Sequence, residues 1–396
     1  MVFDAQFWPL DPEVTFLNHG SFGSCPRPVL EFQSTMRERL ERQPVRFLAR
    51  ELEPLLDAAR TELARFVGAQ PDDLVFVPNA TTGVNTVLRS LRFEPGDELL
   101  VTNHEYNACR NALNFAAERA GARVVVAEIP FPLGDTAVVT ERIVEQATSR
   151  TRLFLLDHVT SQTGLVLPAE PIVAALAKRG IDTLVDGAHA PGMVPLNLDS
   201  LGAAYYTGNC HKWICAPKGA AFLHVRRDRQ ADIRPLTISH GANSPRTDRS
   251  RFQIEFGWTG TADPSAVLSV SEALRVMGAL LPGGWPELMQ RNRALALAAR
   301  RLLCEALNIA APCPDEMIGA LASVPLPDAT SGPLQRSLFL DPLQDELLFE
   351  HAVEVPVIPW PAWPKRLLRI SAQLYNSLPQ YERLAHTLAA KFPQRA

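Results

Sequence analysis

Seven short apolar runs between residues 73 and 225 constrain what this chain can fold into more than any other feature. They are "DLVFVP" (73–78), "ELLVTN" (98–103), "ARVVVAEI" (122–129), "RLFLLDHV" (152–159), "DTLVDGA" (182–188), "AAYYTG" (203–208) and "AAFLHV" (220–225). Their apolar residues sit on consecutive rather than alternate positions, which marks strands covered on both faces and hence a mostly parallel sheet. Between most of them lie segments of helical periodicity, "TTGVNTVLRSLR", "YNACRNALNFAAERAG", "VVTERIVEQAT" and "PAEPIVAALAKRG", which supply the crossovers a parallel sheet needs. The expected class is α/β, with the sheet wrapped by helices. Past Thr261 the texture changes to long helical stretches, "SAVLSVSEALRVMGALL" and "WPELMQRNRALALAARRLLCEAL", then proline-rich strand-like pieces and a final helix. With 396 residues to place, the expected organisation is an N-terminal arm (1–20), a large domain (21–262) and a smaller α+β domain (263–396).

An open parallel sheet binds ligands beyond the carboxyl ends of its strands. The loops that follow the apolar runs are "NATTG", "HEYNA", "TSQTG", "DGAH" and "NCHK", polar and ionisable throughout. Thr81 and Thr82 stand where a helix begins, and there they either cap it or hold an anion on its free N–H groups. Asp186 ends an apolar strand and has to be paired, as a turn carboxylate or against a protonated ring nitrogen; His189 follows it. Lys212 is one of only five lysines in a chain where Lys and Arg together number 39. In apolar company an ammonium loses its charge easily and becomes a nucleophile able to form an imine, which arginine cannot do.

Composition excludes several function classes. A net charge of −4 gives no electrostatic reason to expect nucleic acid or an anionic membrane as partner. No apolar run reaches the roughly 18 residues that crossing a bilayer requires. The N-terminus lacks a basic n-region, so a cytoplasmic chain is expected. The six cysteines have no CxxC spacing and read as small buried residues, not as a disulfide framework or zinc site. His104, Glu105, His158, Asp186 and His189 all fall on strand-end loops, and a metal-dependent hydrolase is the alternative they raise. No HxxxH or HxH spacing supports it, and no metal is expected.

A set of ordered motifs carries a resemblance. "DGAHAPG" (186–192), the lysine of "GNCHKW" 26 residues after its aspartate, "NATTG", "WTGTADPSA" (258–266) and "LLRISAQLYNS" (367–377) resemble the class V aminotransferase family of pyridoxal-phosphate enzymes. The opening "FLNHGSFGSCP" (16–26) and the "VEVPVIPWP" ending are similar to its isopenicillin N epimerase-like branch. The resemblance implies fold type I and pyridoxal 5'-phosphate bound through an imine on Lys212. Asp186 would meet the pyridinium nitrogen and His189 the ring's phenolic oxygen. Thr81, Thr82, Asn209 and His211 would surround the phosphate, and Tyr106 would stack on the cofactor face. Gly260 and Thr261 match a turn that reaches the phosphate of a neighbouring subunit, which implies a homodimer with shared sites. Arg369 would grip the substrate's α-carboxylate. His19 and Ser21, in "NHGSFG", would line the substrate mouth.

The reaction stays open at this level, because the same activated Cα can be epimerised, eliminated or transaminated. The branch points to an epimerase or racemase, with Tyr106 or His19 as a second acid opposite Lys212. A carbon–sulfur lyase on a cysteine conjugate is the alternative, and an aminotransferase ranks third. No cysteine lies between Cys313 and Arg369, which speaks against a persulfide-forming desulfurase. Arg246, Arg249 and Arg251 are candidates for a second substrate carboxylate, against the plainer reading of a solvated basic loop.

Overall fold

The computed structural model describes residues 7–330, 332 and 341–393. The seven apolar runs form one sheet: β1 (Leu74–Val77), β2 (Glu98–Thr102), β3 (Arg123–Ala127), β4 (Thr151–Asp157), β5 (Asp182–Asp186), β6 (Tyr205–Asn209) and β7 (Ala221–Val225). Its order is β1-β7-β6-β5-β4-β2-β3. β7 runs antiparallel to both its neighbours, and every other pairing is parallel. Six strands therefore run the same way, and the loops after β1, β2, β4, β5 and β6 share one rim.

The consecutive apolar positions have the expected cause. Phe154, Leu156, Val185, Tyr206 and Phe222 enter a core on one face of the sheet. Their chain neighbours Leu153, Leu155, Leu184, Tyr205 and Leu223 enter a separate core on the other. A fully buried leucine contributes roughly 1.5–3 kcal/mol, so burial on both faces makes this sheet the rigid base of the rim. The predicted crossovers appear as α1 (Ala80–Ser90), α2 (Asn107–Ala120) and helices over Ala137–Gln146 and Ala169–Ala177.

A second sheet holds β8 (Leu321–Leu326), β9 (Val357–Pro359) and β10 (Arg366–Ser371) in the antiparallel order β9-β10-β8. It is backed by helices Gly284–Leu307 and Leu378–Lys391, which pack on one another. The stretch expected as one helix after Thr261 is two, Ser265–Leu268 and Val270–Gly278. The Ser269 hydroxyl donates back to the Ser265 carbonyl at 2.7 Å, a local bond that competes with a continuous helix. The expected N-terminal arm is stitched in: Thr15–Phe16 pairs in parallel with Val353–Glu354, and Asn18 donates to Glu354 at 3.0 Å.

Candidate active site

The rim encloses a cavity of about 370 Å³ lined by Ser21, Phe22, Asn79, Thr81, Tyr106, Asp157, Ser161, Asp186, His189, Asn209, His211, Lys212 and Lys218, among others. Five loops that follow apolar strands deliver most of these side chains, and the N-terminal turn His19–Phe22 adds Ser21 and Phe22.

Lys212 is held by His189, with Nζ 3.0 Å from Nε2. Removal of the ammonium from water, and then the Arg369 charge, push Lys212 down to about 7. Burial holds His189 well below the usual imidazole range, so it is neutral. Its buried Nδ1 has no protein partner.

Asp186 is buried at the end of β5. It accepts from the Cys109 thiol at 3.0 Å and from the Ala188 amide at 2.9 Å. Burial raises its pKa, while those two donors and Lys212 pull it back toward the anion. Directly opposite it in the parallel register is Asp157, and Glu105 completes a buried trio of acids. Burial, with repulsion among these carboxylates, raises Glu105 and Asp157 well above the ordinary carboxylate value.

That predicts an unusual pH response. Glu105 has a folded pKa above its unfolded value near 4.5, so the stability it contributes is present below that value and lost as pH rises through the folded pKa. Glu105→Gln keeps the shape without the proton. The melting temperature of the variant apoprotein relative to wild type is expected to rise between pH 5 and 9; a difference independent of pH refutes the assignment.

Arg369, on β10, is 3% exposed. Its Nη2 donates to Ser21 Oγ at 2.8 Å and its Nη1 to the Ser161 carbonyl at 2.5 Å, while Nε has no partner. No carboxylate pairs with it among the described residues. Burial pushes the guanidinium down to about 10.

Other sequence readings meet a different arrangement. Neither threonine caps α1: Asn79 does, accepting from the Thr82 amide at 2.8 Å and the Thr82 hydroxyl at 3.1 Å. Thr81 is left to line the cavity, and Asn209 Oδ1 receives the Ala80 amide at 2.8 Å. His211 is held by its Nδ1 on the Ala220 carbonyl at 3.1 Å. His19 is fully buried with both nitrogens engaged, on Tyr375 Oη at 2.8 Å and on the Lys212 carbonyl at 3.0 Å, and is not among the lining residues. Burial pushes it down to about 3, which removes it as an acid.

The basic loop is committed to local acids: Arg246 to Glu53 and Asp248, Arg249 to Asp57, Arg251 to Glu255. Of the five supposed metal ligands only Glu105 and Asp186 come together, joined by Cys109, with no histidine. His104 is bonded to Thr163 and the Ile129 carbonyl, and His158 to Tyr206. Gly260 and Thr261 lie on an exposed turn and do not line the cavity of a single chain. All six cysteines are free and buried. The stretch between Cys313 and Arg369 includes 331 and 333–340, outside the described residues.

Sequence reasoning missed Cys109, Asp157, Ser161 and Lys218. Lys218 carried a signal as another of the few lysines, Ser161 as part of the rim loop "TSQTG" and Asp157 as a strand-end carboxylate; Cys109, inside α2, carried none.

Pyridoxal phosphate suits this donor set. The cavity offers an amine, a buried carboxylate for a ring nitrogen, the start of an eleven-residue helix for a phosphate, and the unpartnered His189 Nδ1 and Arg369 Nε.

The sequence pattern described as aminotransferase class-V matches residues 30–324. The chain is 36% identical over 393 residues to isopenicillin N epimerase of Amycolatopsis lactamdurans, covering 96% of this chain and 95% of the relative. It is 31% identical to a probable chloroplastic L-cysteine desulfhydrase of Arabidopsis thaliana, covering 96% and 83%. Solved structures share the fold: a C-DES variant with glycine covalently linked to its PLP cofactor (TM-score 0.79, 24% identity, 98% and 99% covered), and an apo cysteine desulfurase of Thermococcus onnurineus (TM-score 0.80, 19% identity, 98% and 97% covered). Kinship over nearly the whole chain, joined to a cavity that suits the cofactor, places this protein in the class V aminotransferase family of pyridoxal-phosphate enzymes.

Proposed function

We propose that this chain acts at the Cα of an amino-acid substrate as an epimerase or racemase. The observation that carries an amino-acid substrate is Arg369, a buried guanidinium without an acid partner among the described residues, beside a cavity that also holds a near-neutral lysine. The kinship with isopenicillin N epimerase supports the inversion.

The chemistry that pyridoxal phosphate supplies when bound is withdrawal of electrons from the Cα–H bond. Thr81, Asn209 and His211 would hold its phosphate, with Thr82 reaching it through the backbone of the first helical turn. Gly260 and Thr261 of a second copy would complete that cradle in a cytoplasmic homodimer. Asp186 would face the ring nitrogen: burial raises its pKa, while Cys109, the Ala188 amide and Lys212 draw it back toward the anion that a protonated ring nitrogen would pair with. His189 would steer Lys212 and present Nδ1 to a ring oxygen. Arg369 binds the substrate carboxylate through its fork and, with Ser21 beside it, orients Cα. Lys212, near 7, holds or releases a proton at Nζ under neutral conditions and is the base on one face. Inversion needs a second proton donor. Tyr106 is the candidate that lines the cavity; burial raises its pKa, so its hydroxyl keeps the proton to be given.

A second reading, a carbon–sulfur β-lyase, is favoured by the desulfhydrase relative. There Lys212 removes the same proton and the β-substituent leaves. A persulfide-forming desulfurase is set aside on this proposal, because every cysteine is buried and none lines the cavity.

Incubating L-amino acids and cysteine conjugates with the enzyme in heavy water distinguishes the readings. Deuterium at Cα with inverted configuration is expected; pyruvate with released thiol and no inverted amino acid moves the assignment to the lyase.

A further inference from the structure

The groups assigned to the reaction leave unexplained a buried polar network behind Lys212, and it runs through the N-terminal segment. The Lys212 carbonyl accepts from the Cys215 amide at 3.1 Å and contacts His19 Nε2 at 3.0 Å. A carbonyl only accepts, so Nε2 carries the hydrogen. Nδ1 is then an acceptor, and Tyr375 Oη donates to it at 2.8 Å. Gln373 keeps the same orientation. Its Oε1 accepts from Asn292 and from the Leu374 amide, so its NH2 group is directed at the Cys215 thiol, 3.6 Å away. His19 is wholly buried, and burial keeps it neutral.

The same short turn, His19–Phe22, touches the other half of the site. Ser21 Oγ accepts from Arg369 Nη2 at 2.8 Å, and the Gly20 amide donates to Ser371 Oγ at 2.9 Å, both partners lying on β10. At its far end Gly23 has φ +69°, and a Cβ there would lie 2.2 Å from the His211 carbonyl oxygen. Glycine is required because the chain passes directly against the backbone of 211–212. Cys215, a non-glycine residue, is held at φ +63° on the other side of Lys212. A left-handed backbone at such a residue persists only where its surroundings fix it.

We propose that the His19–Phe22 turn is a positioning clip that sets the reactive lysine relative to the carboxylate-binding arginine, with His19 fixing the lysine end through the Lys212 carbonyl. This rests on the reading of Lys212 and Arg369 given above. The clip explains why a segment remote in sequence from both residues touches both, with His19 and Gly20 buried. His19 acts through Lys212 and takes no part in proton transfer.

Two isosteres test it. In His19→Gln the amide nitrogen occupies the place of Nε2 and can still donate to the Lys212 carbonyl; in His19→Asn the amide reaches only the place of Nδ1. The holoenzyme kcat is expected to fall about tenfold or more in His19→Asn, which removes one of the two hydrogen bonds that hold the Lys212 carbonyl, with KM within about twofold. His19→Gln should remain within about threefold of wild type. A readout independent of turnover is acylation of Lys212 in the apoprotein, followed by peptide mass spectrometry across pH. Its midpoint, expected near 7 in wild type and His19→Gln, should move upward in His19→Asn as the amine escapes its buried setting. Equal behaviour of the two variants, whether both intact or both impaired, overturns the clip. Failure of borohydride to fix the cofactor on wild-type Lys212 overturns the underlying reading instead.

Discussion

Lys212→Ala abolishes turnover, by more than about a thousandfold, while the apoprotein melts no lower than wild type at pH 7. The first expectation follows because the variant loses both the nucleophile that tethers the cofactor and the base that moves the Cα proton, and a positioned base alone contributes about 10²–10⁴. The second follows from the sign of the pKa shift. Burial pushes Lys212 from 10.5 to about 7, so between those values the unfolded chain holds a proton that the folded chain binds more weakly. The folded state is penalised in that window, and an alanine removes the penalty. Borohydride treatment followed by peptide mass spectrometry should mark Lys212 in wild type and nothing at that position in the variant. Turnover at the wild-type rate in Lys212→Ala sinks the assignment.

Arg369→Met is expected to lower kcat/KM by roughly 30- to several-thousandfold, the 2–5 kcal/mol typical when one member of a buried charge pair is removed. Most of the loss should fall on KM. Arg369→Lys should recover little, because the fork that addresses Ser21, Ser161 and a substrate carboxylate together becomes a single ammonium. The sharper measurement compares the amino acid with the corresponding amine lacking the carboxylate. Wild type should discriminate strongly between them and Arg369→Met hardly at all; equal losses for both compounds would show that the arginine is structural. Since no acid pairs with it among the described residues, the methionine apoprotein should be at least as stable as wild type.

The sequence exposed the sheet because both of its faces are covered, and an apolar run such as that of β4 has no other economical explanation. It exposed the order of motifs along the rim for the same reason: a polar loop after an apolar strand in a parallel sheet has one place to go. Its failures were one local misreading, at the start of α1, and contacts between segments far apart in the chain. Asn79 displaced the threonines as cap because its side chain lies one residue before the helix, within reach of the Thr82 amide. Arg246 and Arg249 looked like a second anion site until helix 52–67 brought Glu53 and Asp57 beside them.

By itself, then, the sequence determined the α/β class, the strands, and the residues able to do chemistry at their ends, since these depend on local periodicity and on what a side chain is. Only the tertiary structure decided which of those residues are charged and which can act. Protonation follows from burial and from neighbours distant in the sequence. Thus Lys212 falls toward neutrality near Arg369, Glu105 and Asp157 are raised beside Asp186, and His19, an apparent acid, is closed off behind the lysine.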